Sequence, residues 1–129
     1  MTRLTIAIPN FNGGEKLKKA VTSCKLIKIP QNEFEILVVD NKSTDNSFEI
    51  IDELKKEFPN LRVIKNQENV GRIQNWNICI KNCNSKYMTF LFINDLISKH
   101  NNIEQIIEIL DSDDSISLSL SPVIKKENT

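Results

Sequence analysis

The chain has 129 residues, of which 40% are hydrophobic and 26% charged, a composition that suits a single folded domain with a real core. Its 17 basic residues balance its 17 acidic residues, and this zero net charge argues against a general nucleic-acid-binding protein. No apolar run approaches the ~20 residues that a membrane span needs, and the N-terminus begins a strand pattern and not a signal peptide.

Strand and helix patterns alternate from one end of the chain to the other. Short apolar runs predict strands over 4–8, 36–39, 61–64, 87–92 and 116–120. Apolar residues at helical spacing predict helices over 17–27, 48–58, 73–83 and 103–110. Pro9 is predicted to stop the first strand, and Ser43, Thr44 and Asp45 to cap the second helix. The pattern predicts an α/β fold of three layers, with a mostly parallel, Rossmann-like sheet that is truncated after about the fifth strand.

Neither a repeat nor a linker interrupts the pattern, so we expect residues 1–129 to form one domain. The three cysteines, Cys24, Cys79 and Cys83, have no disulfide-framework spacing, which predicts reduced thiols and a cytoplasmic protein. Cys79 and Cys83 lie four residues apart on a predicted helix. We interpret them as buried small residues and not as a metal clamp, because a soft metal needs about four ligands and no others are nearby.

Ligands of open parallel sheets bind beyond the carboxyl ends of the strands. Four predicted loops meet at that edge, 9–14, 40–45, 66–72 and 92–96. In the first loop, the ring of Phe11 can stack on a base, with Asn10 and Asn12 beside it. In the second loop, Asp40 and Asn41 carry oxygens that can accept a hydrogen bond from a base N–H.

The other two loops add groups that suit phosphate and metal. Gly71 and Arg72 begin a predicted helix, where free N–H groups and a cation favour phosphate binding. Asn94 and Asp95 are hard oxygen ligands of the kind that Mg²⁺ or Mn²⁺ prefers. Base, phosphate and metal groups on one edge predict a site for a nucleoside diphosphate.

Each of these features also has a simpler interpretation when it is taken alone. The acidic and hydroxyl residues of 40–45 could only cap a helix, and Phe11 could belong to the core. Gly71 and Arg72 could only begin a helix, and Asn94 with Asp95 could form a turn. The order of all four on one edge of the sheet is what favours the functional interpretation.

The same four segments resemble the N-terminal, nucleotide-sugar-binding part of family 2 glycosyltransferases, which have the GT-A fold. Residues 6–12 are similar to the opening strand and Pro-Thr-Tyr-Asn signature, and residues 38–45 to the Val-Val-Asp-Asp-Gly-Ser-Thr-Asp signature. Residues 69–77 are similar to the Asn-x-Gly helix entry, and residues 87–95 to the strand before the Asp-x-Asp metal motif. The resemblance covers almost the whole chain.

The resemblance implies a donor site for a UDP- or dTDP-sugar, in an enzyme that transfers the sugar to a hydroxyl acceptor in glycan or cell-surface polysaccharide synthesis. Phe11 takes the place of the base-stacking aromatic residue, and Asn41 stands where the family's second acid meets the pyrimidine N3–H. Asp40 beside it contacts the base or fixes the loop, and Asn77 matches the family's usual Asn. The implied nucleotide-binding residues are Pro9, Asn10, Phe11, Asn12, Asp40, Asn41, Gly71, Arg72, Asn77 and Asn94.

The resemblance also implies a divalent cation, Mg²⁺ or Mn²⁺, bound by Asp95 and bridging the diphosphate, with Asn94 near the metal or the ribose. Here the chain departs from the family, because Phe92, Ile93 and Asn94 precede Asp95 and only Asp95 is charged. One carboxylate should hold the cation more weakly than two. We therefore expect the donor diphosphate to supply more of the coordination.

A second departure is length, because the family's acceptor site and catalytic base lie beyond the fifth strand. We name no catalytic residue and expect the isolated chain, without the acceptor-binding half, to transfer sugar poorly. One alternative is a degenerate or truncated nucleotide-sugar-binding module without activity. Another is a receiver-like or flavodoxin-like domain that uses Asp40 as an acidic-pocket residue, although the paired acids of a receiver are absent near the first strand.

The expected partners follow from this interpretation. They are a nucleotide-sugar donor and an unidentified sugar or glycan acceptor, with no nucleic acid. We expect the parent enzyme to be cytoplasmic, in peripheral association with the inner face of the membrane. A sheet edge or face left uncovered by the short chain would be apolar, so we also expect a homodimer or another contact there.

Overall fold

A computed structural model describes residues 2–117 of the chain, and in them strands and helices alternate as predicted. The elements are β1 (Leu4–Asn10), α1 (Glu15–Ser23), β2 (Phe34–Asp40), α2 (Ser47–Glu57), β3 (Leu61–Lys65), α3 (Arg72–Lys81), β4 (Tyr87–Phe90) and α4 (Ile103–Ser112). Two short 3₁₀ helices, Cys24–Leu26 and Gln31–Glu33, lie between α1 and β2. None of the helices within residues 2–117 is long and apolar enough to cross a membrane.

The four strands form one parallel sheet in the order β3-β2-β1-β4, which confirms the predicted α/β class. The chain moves outward from β1 to β3 and then returns past β1 to β4. Right-handed connections made in opposite directions place their helices on opposite faces. Accordingly, α1, α2 and α4 cover one face of the sheet, and α3 covers the other.

Each face of the sheet has its own core. The larger core joins the sheet to α1, α2 and α4, and its fully buried members include Ile6, Leu17, Ile36, Ile51 and Ile107. The smaller core lies under α3 and consists of Ala7, Leu37, Val39 and Cys79. Successive strand residues point to opposite faces, so the continuous apolar runs of β1 and β2 are explained by burial on both sides.

The predicted end of the first strand was wrong, because Pro9 lies inside β1 and pairs with Val39 of β2. The backbone of Ala7 faces β4, since Ala7 O accepts the Leu91 N–H at 2.9 Å, and alternation makes Pro9 face the same side. β4 ends at Phe90, which pairs with Ala7. The missing N–H of Pro9 therefore points beyond the end of β4 and removes no ladder bond.

Other boundaries also shifted from the predictions. The strand expected over 87–92 ends at Phe90, because the chain turns where the Asp95 N–H donates to Phe92 O at 2.8 Å. The helix expected over 17–27 ends at Ser23 and passes through the 3₁₀ turn, so that Ile27 is buried in extended backbone. Ile116 and Ser117 are in no strand, and the remainder of the predicted fifth strand, 118–120, lies outside the described residues.

The cysteines are free, and two of them are core residues. Burial raises the pKa of Cys24 to about 12 and that of Cys79 to about 11, so both thiols are neutral at physiological pH. Within residues 2–117 no three His, Cys, Asp or Glu side chains form a group that could hold a metal ion. The burial of Cys79 agrees with its interpretation as a small buried residue, whereas Cys83 is only partly buried, contrary to the same interpretation.

Charged side chains join the elements at the amino ends of the strands. The Asp111 carboxylate, at the end of α4, accepts hydrogen bonds from Lys86 Nζ at 2.8 Å and Tyr87 Oη at 2.6 Å, and Arg3 Nη2 lies 3.5 Å away. These bonds, that from Lys86 foremost, lower the pKa of Asp111 to about 2. Nearby, Arg62 pairs with both carboxylate oxygens of Glu35, at 2.9 and 3.3 Å.

Candidate functional site

The carboxyl edge of the sheet is the place where the predicted site residues meet. The strand order reverses between β1 and β4, and the crevice at such a point is where open α/β sheets bind ligands. Asn10 at the end of β1 pairs with Asp40 at the end of β2, so the first two predicted loops begin side by side. The loops that leave β3 and β4 flank them.

A buried hydrogen-bond network joins the first two loops. Asp40 is fully buried, and its Oδ1 accepts from Asn10 Nδ2 at 2.8 Å and from Ser43 Oγ at 2.7 Å. Its Oδ2 accepts the Ser43 N–H at 2.9 Å. A buried carboxylate is tolerated only with such partners. Of the two roles expected for Asp40, the structure provides the one that fixes the loop.

Asn12 adds a second connection between the same loops. It has a left-handed backbone, with φ of 52°, and its Oδ1 accepts the Thr44 N–H at 2.8 Å and the Asp45 N–H at 3.3 Å. The predicted capping of α2 by Ser43, Thr44 and Asp45 was wrong, because Asn46 is the N-cap and no side chain makes a capping bond. Asp45 Oδ1 accepts the Ser47 N–H, at 3.0 Å, from the turn before the helix. The hydroxyl of Ser43 instead accepts the Asn12 N–H at 2.9 Å.

Gly13 lies where the first loop meets the loop after β4. A Cβ at this position would lie 2.2 Å from Asn10 Oδ1 and 3.3 Å from Ile93 Cδ1. Asn10 is only 1% exposed, and its Oδ1 has no hydrogen-bond partner among residues 2–117. The close approach of the Gly13 backbone to this buried oxygen therefore requires a residue without a side chain.

Four asparagines, Asn41, Asn66, Asn69 and Asn75, join the second loop to the third, and we call them the asparagine network. Asn41 Oδ1 accepts from Asn66 Nδ2 and from the Val70 N–H, both at 3.0 Å. Asn41 Nδ2 donates to Asn69 Oδ1 at 3.0 Å and to Gly71 O at 3.3 Å. A base N–H at Asn41, as the sequence predicted, would have to displace one of these bonds.

The network continues into the sheet and into α3. Asn66 Nδ2 also donates to Asn75 Oδ1 at 2.8 Å, and Asn75 Nδ2 donates to Val39 O at 3.1 Å. Asn69 Oδ1 accepts the Gly71 N–H at 2.9 Å. The neutral amides thus fix the loop between β3 and α3 against the end of β2.

Gly71 and Arg72 lie at the beginning of α3, as predicted. Gly71 precedes the helix with φ of 84°, a left-handed conformation that favours glycine. The Arg72 guanidinium is exposed and lies 5.6 Å from the ring centre of Trp76. A helix N-terminus with an adjacent cation suits a phosphate group. Asn77, further along α3, is exposed.

The remaining predicted residues are at the surface of this edge. Phe11 is 48% exposed, Pro9 is half-buried, and Asn94 and Asp95 are exposed after β4. Asn94 and Asp95 offer one amide and one carboxylate, whereas Mg²⁺ takes six oxygen ligands. The donor set therefore fits a divalent cation only when a diphosphate and water complete the shell.

Aromatic residues support the loop that carries Asn94 and Asp95. The rings of Phe90 and Phe92 are stacked, with centroids 5.5 Å apart, and Trp76 of α3 lies 5.3 Å from Phe92. This contact connects the loop after β4 to α3. The loop is thereby held beside the helix that begins with Arg72.

Sequence reasoning missed several residues that organise the site, namely Ser43 as a bridge between loops and Asn66, Asn69 and Asn75 as members of the network. The signal was present, since asparagines occur at both ends of the 66–69 segment and again in α3. Which backbone groups such amides meet depends on the register of β2 and β3, and a single sequence does not contain that information.

Two clefts lie at the opposite edge of the sheet. One, of about 250 Å³, is lined by residues that include Thr2, Asn60 and Arg62, and the other, of about 210 Å³, by residues that include Cys24 and Phe58. The Arg62 guanidinium is already paired with Glu35, and the Cys24 thiol is neutral. Neither cleft is lined by a residue of the predicted site.

Comparisons with known proteins agree with this assignment of the fold. The poly(ribitol-phosphate) beta-glucosyltransferase of Bacillus spizizenii is 31% identical over 96 residues, which are 74% of this chain and 15% of that protein. The chain therefore spans only a small part of that relative's length.

Solved structures are similar over most of the described chain. Staphylococcus aureus TarS 1-349, in complexes with UDP and with UDP-GlcNAc, has a TM-score of 0.77 at 23% identity, covering 86% of this chain and 32% of that one. The mannosyltransferase PcManGT of Pyrobaculum calidifontis, in complex with GDP-Man and Mn²⁺, has a TM-score of 0.69 at 18% identity, covering 75% and 29%. At these identities the likeness shows the GT-A type of fold.

The sequence model described as glycosyl transferase family 2 matches residues 5–129, nearly the entire chain. Its span contains all four loops that meet at the carboxyl edge. With the parallel sheet and the loop geometry already described, this match shows that the chain is a member of glycosyl transferase family 2.

Proposed function

We propose that this chain forms the donor-binding part of a glycosyltransferase that takes a pyrimidine nucleotide sugar, a UDP- or dTDP-sugar, and transfers the sugar to a hydroxyl acceptor in glycan or cell-surface polysaccharide synthesis. Family membership supports transferase chemistry. The names of the relatives, poly(ribitol-phosphate) transferases among them, support a polymer of the cell surface as the product. UDP and UDP-GlcNAc in the TarS complexes support a uridine nucleotide as the donor.

The observation that carries the proposal is the convergence of four loops around the end of β1. Hydrogen bonds join the first loop to the second and the second to the third, and Gly13 lies near the fourth, since a Cβ at Gly13 would be 3.3 Å from Ile93 Cδ1. The exposed groups of these loops are an aromatic ring at Phe11, a cation at Arg72 and a carboxylate at Asp95. Those groups match a base, a diphosphate and a divalent cation, respectively.

Mg²⁺ or Mn²⁺ would be held by Asp95 and by oxygens of the diphosphate, with Asn94 beside them. When bound, the ion would stabilise the negative charge of the departing nucleoside diphosphate. The residues of this chain bind and orient the donor around it. A binding module without activity is not favoured, because the similar curated proteins are named as transferases.

Binding of UDP by the intact chain tests the proposal directly. We expect calorimetric titration with UDP and Mg²⁺ to give saturable binding, and Phe11→Ala to weaken it about tenfold, because base stacking contributes about 1–3 kcal/mol. Leu26→Ala is the matched control, since it removes another exposed apolar side chain, in the 3₁₀ helix that follows α1 and away from the carboxyl edge. Equal affinities of Phe11→Ala and wild type would contradict the stacking role.

The metal proposal has its own test. With Mn²⁺ present, wild-type protein should bind UDP several-fold more tightly than in EDTA. Asp95→Asn should abolish that difference while the affinity in EDTA remains unchanged, because only the charge that holds the ion is lost. Asp52→Asn, which removes an exposed acid on α2, should keep the full metal effect. A metal effect that survives in Asp95→Asn would assign the ion elsewhere.

The location and the assembly stay predictions. We propose a cytoplasmic protein whose parent enzyme is peripheral to the membrane, on the grounds of composition given above. The exposed side chains of Ile73 and Ile80 on α3, 58% and 54% exposed, support a homodimer or a partner on that face. Sedimentation that finds only monomer at high concentration would count against the homodimer.

A further inference from the structure

The carboxamide of Asn41 is saturated by hydrogen bonds within the protein. A primary amide offers two N–H groups and two oxygen lone pairs. The two N–H groups of Asn41 donate to Asn69 Oδ1 and to the carbonyl of Gly71. Its oxygen accepts from Asn66 Nδ2 and from the N–H of Val70. The residue is also only 3% exposed. It therefore has no free group with which to contact a ligand.

The orientation of this amide is fixed by backbone groups. The N–H of Val70 can only donate, so it must face Asn41 Oδ1, and the carbonyl of Gly71 can only accept, so it must face Asn41 Nδ2. If the amide oxygen and nitrogen were exchanged, two donors would face each other at Val70 and two acceptors would face each other at Gly71. Because the Gly71 N–H fixes Asn69 in the same way, Asn69 cannot compensate by turning over.

Asp40 offers no alternative for recognition of a base. It is fully buried, and its carboxylate accepts three hydrogen bonds, from Asn10 and from the backbone and hydroxyl of Ser43. Both polar side chains at the end of β2 are therefore committed to the loops. A base N–H could reach the oxygen of Asn41 only by breaking a bond worth about 1 kcal/mol, and complete burial closes Asp40 to it.

We propose that Asn41 is a positioning residue that holds the 66–71 loop and does not read the base, so that the site binds uridine and cytidine diphosphates with similar affinity. This inference rests on the donor site proposed above. N3 of uracil donates a hydrogen bond and N3 of cytosine accepts one, so discrimination needs a free partner of fixed polarity. Stacking on Phe11 is open to either base, because every base has a π face.

The first test compares the two nucleotides on the wild-type chain. With Mg²⁺ present, calorimetric titration should give Kd values for UDP and CDP within about threefold of each other. A preference of tenfold or more for UDP would overturn the inference while leaving the donor site intact. Binding of neither nucleotide would overturn the donor site, and this inference with it.

The second test separates positioning from reading. Asn41→Ala should weaken the binding of UDP and of CDP by the same factor, because the loop that Asn41 holds contacts both nucleotides. The ratio of the two Kd values should therefore not change. A loss confined to UDP would show that Asn41 reads the base. Asn66→Ala removes one hydrogen-bond partner of Asn41 and leaves Asn41 in place. It should also weaken the binding of UDP and of CDP by equal factors. The comparison of UDP with CDP on the wild-type chain does not depend on whether either variant folds.

Discussion

The two edges of the sheet are built from different chemistry. At the amino edge, charged side chains pair with one another, as Asp111 does with Lys86 and Arg62 with Glu35. At the carboxyl edge, the bonds between loops come from amides, hydroxyls and backbone groups around the buried carboxylate of Asp40. Asp95 and Arg72 are outside that scaffold, and neither forms an ion pair within residues 2–117.

The proposed binding edge keeps its charged side chains available for a ligand. Paired charges satisfy each other, and they are useful for holding α4 and the strand ends together. A scaffold of neutral amides gives the carboxyl-edge loops a fixed shape without competing for the carboxylate of Asp95 or the guanidinium of Arg72. Those two groups can then interact with a diphosphate and its cation.

Removing the buried acid of the carboxyl edge should have the largest effect. Asp40→Ala leaves the N–H and hydroxyl of Ser43 without their acceptor in a buried site, and it leaves Asn10 Nδ2 with only the weaker bond to Ser43 Oγ at 3.3 Å. We expect the free energy of unfolding in urea to fall by about 3 kcal/mol, since each unsatisfied buried group costs about 1–3 kcal/mol. Asp52→Ala, at an exposed position of α2, should change it by less than about 0.5 kcal/mol. Equal effects would remove the distinction between scaffold and surface acids.

Restoring the family's second acid should destabilise this protein. In Asn41→Asp, the introduced carboxylate would face two acceptors, Gly71 O and Asn69 Oδ1, and could donate to neither. We expect a loss of about 1–3 kcal/mol in the free energy of unfolding at pH 7, which becomes smaller in acid, where the new group is protonated and can donate.

The matched control is Asn84→Asp, the same change at an exposed position near the amino edge, which should lie within about 0.5 kcal/mol of wild type. If Asn41→Asp were as stable as this control at pH 7, the asparagine network would not depend on the two N–H groups of Asn41. The comparison of the two variants therefore measures how much the two N–H groups of Asn41 contribute to the free energy of unfolding.

The paired charges of the amino edge should make the stability of the protein depend on pH. Asp111 has a pKa lowered to about 2, chiefly by the hydrogen bond from Lys86, whereas an unfolded Asp titrates near 3.9. The stabilisation is therefore complete above about pH 4 and is lost as the pH falls toward 2. Asp111→Asn should flatten the decline in urea midpoint between pH 5 and pH 2.5, while Asp52→Asn should retain it. An unchanged decline in Asp111→Asn would exclude this network as its source.

Much of the architecture could be predicted from periodicity. The strands and helices appear in the predicted order, because buried parallel strands read as unbroken apolar runs and each helix shows its own spacing. Pro9 was misjudged, since its tolerance within β1 depends on where β4 ends. That is a fact of pairing between strands about 80 residues apart in sequence, as the Ala7 to Phe90 pairing indicates.

The residues of the candidate site were predicted, but the hydrogen bonds that connect its loops were not. Phe11, Arg72 and Asp95 are exposed at the predicted edge, as their positions after strands or at a helix start suggested. Asn41 was expected to face a ligand, and its four bonds to the 66–71 loop could not be predicted, because they require the three-dimensional path of that loop. Family resemblance gave the position of Asn41 but not the partners of its amide.

The proposed function requires that the carboxyl edge, and not the amino edge, binds a nucleoside diphosphate. Amide chemical shifts in ¹⁵N-labelled protein, recorded during titration with UDP and Mg²⁺, test it residue by residue. We expect the largest changes in 9–14, 66–72 and 92–96. Changes concentrated around Thr2, Asn60 and Arg62 in the cleft at the opposite edge, or no changes at saturating UDP, would contradict it.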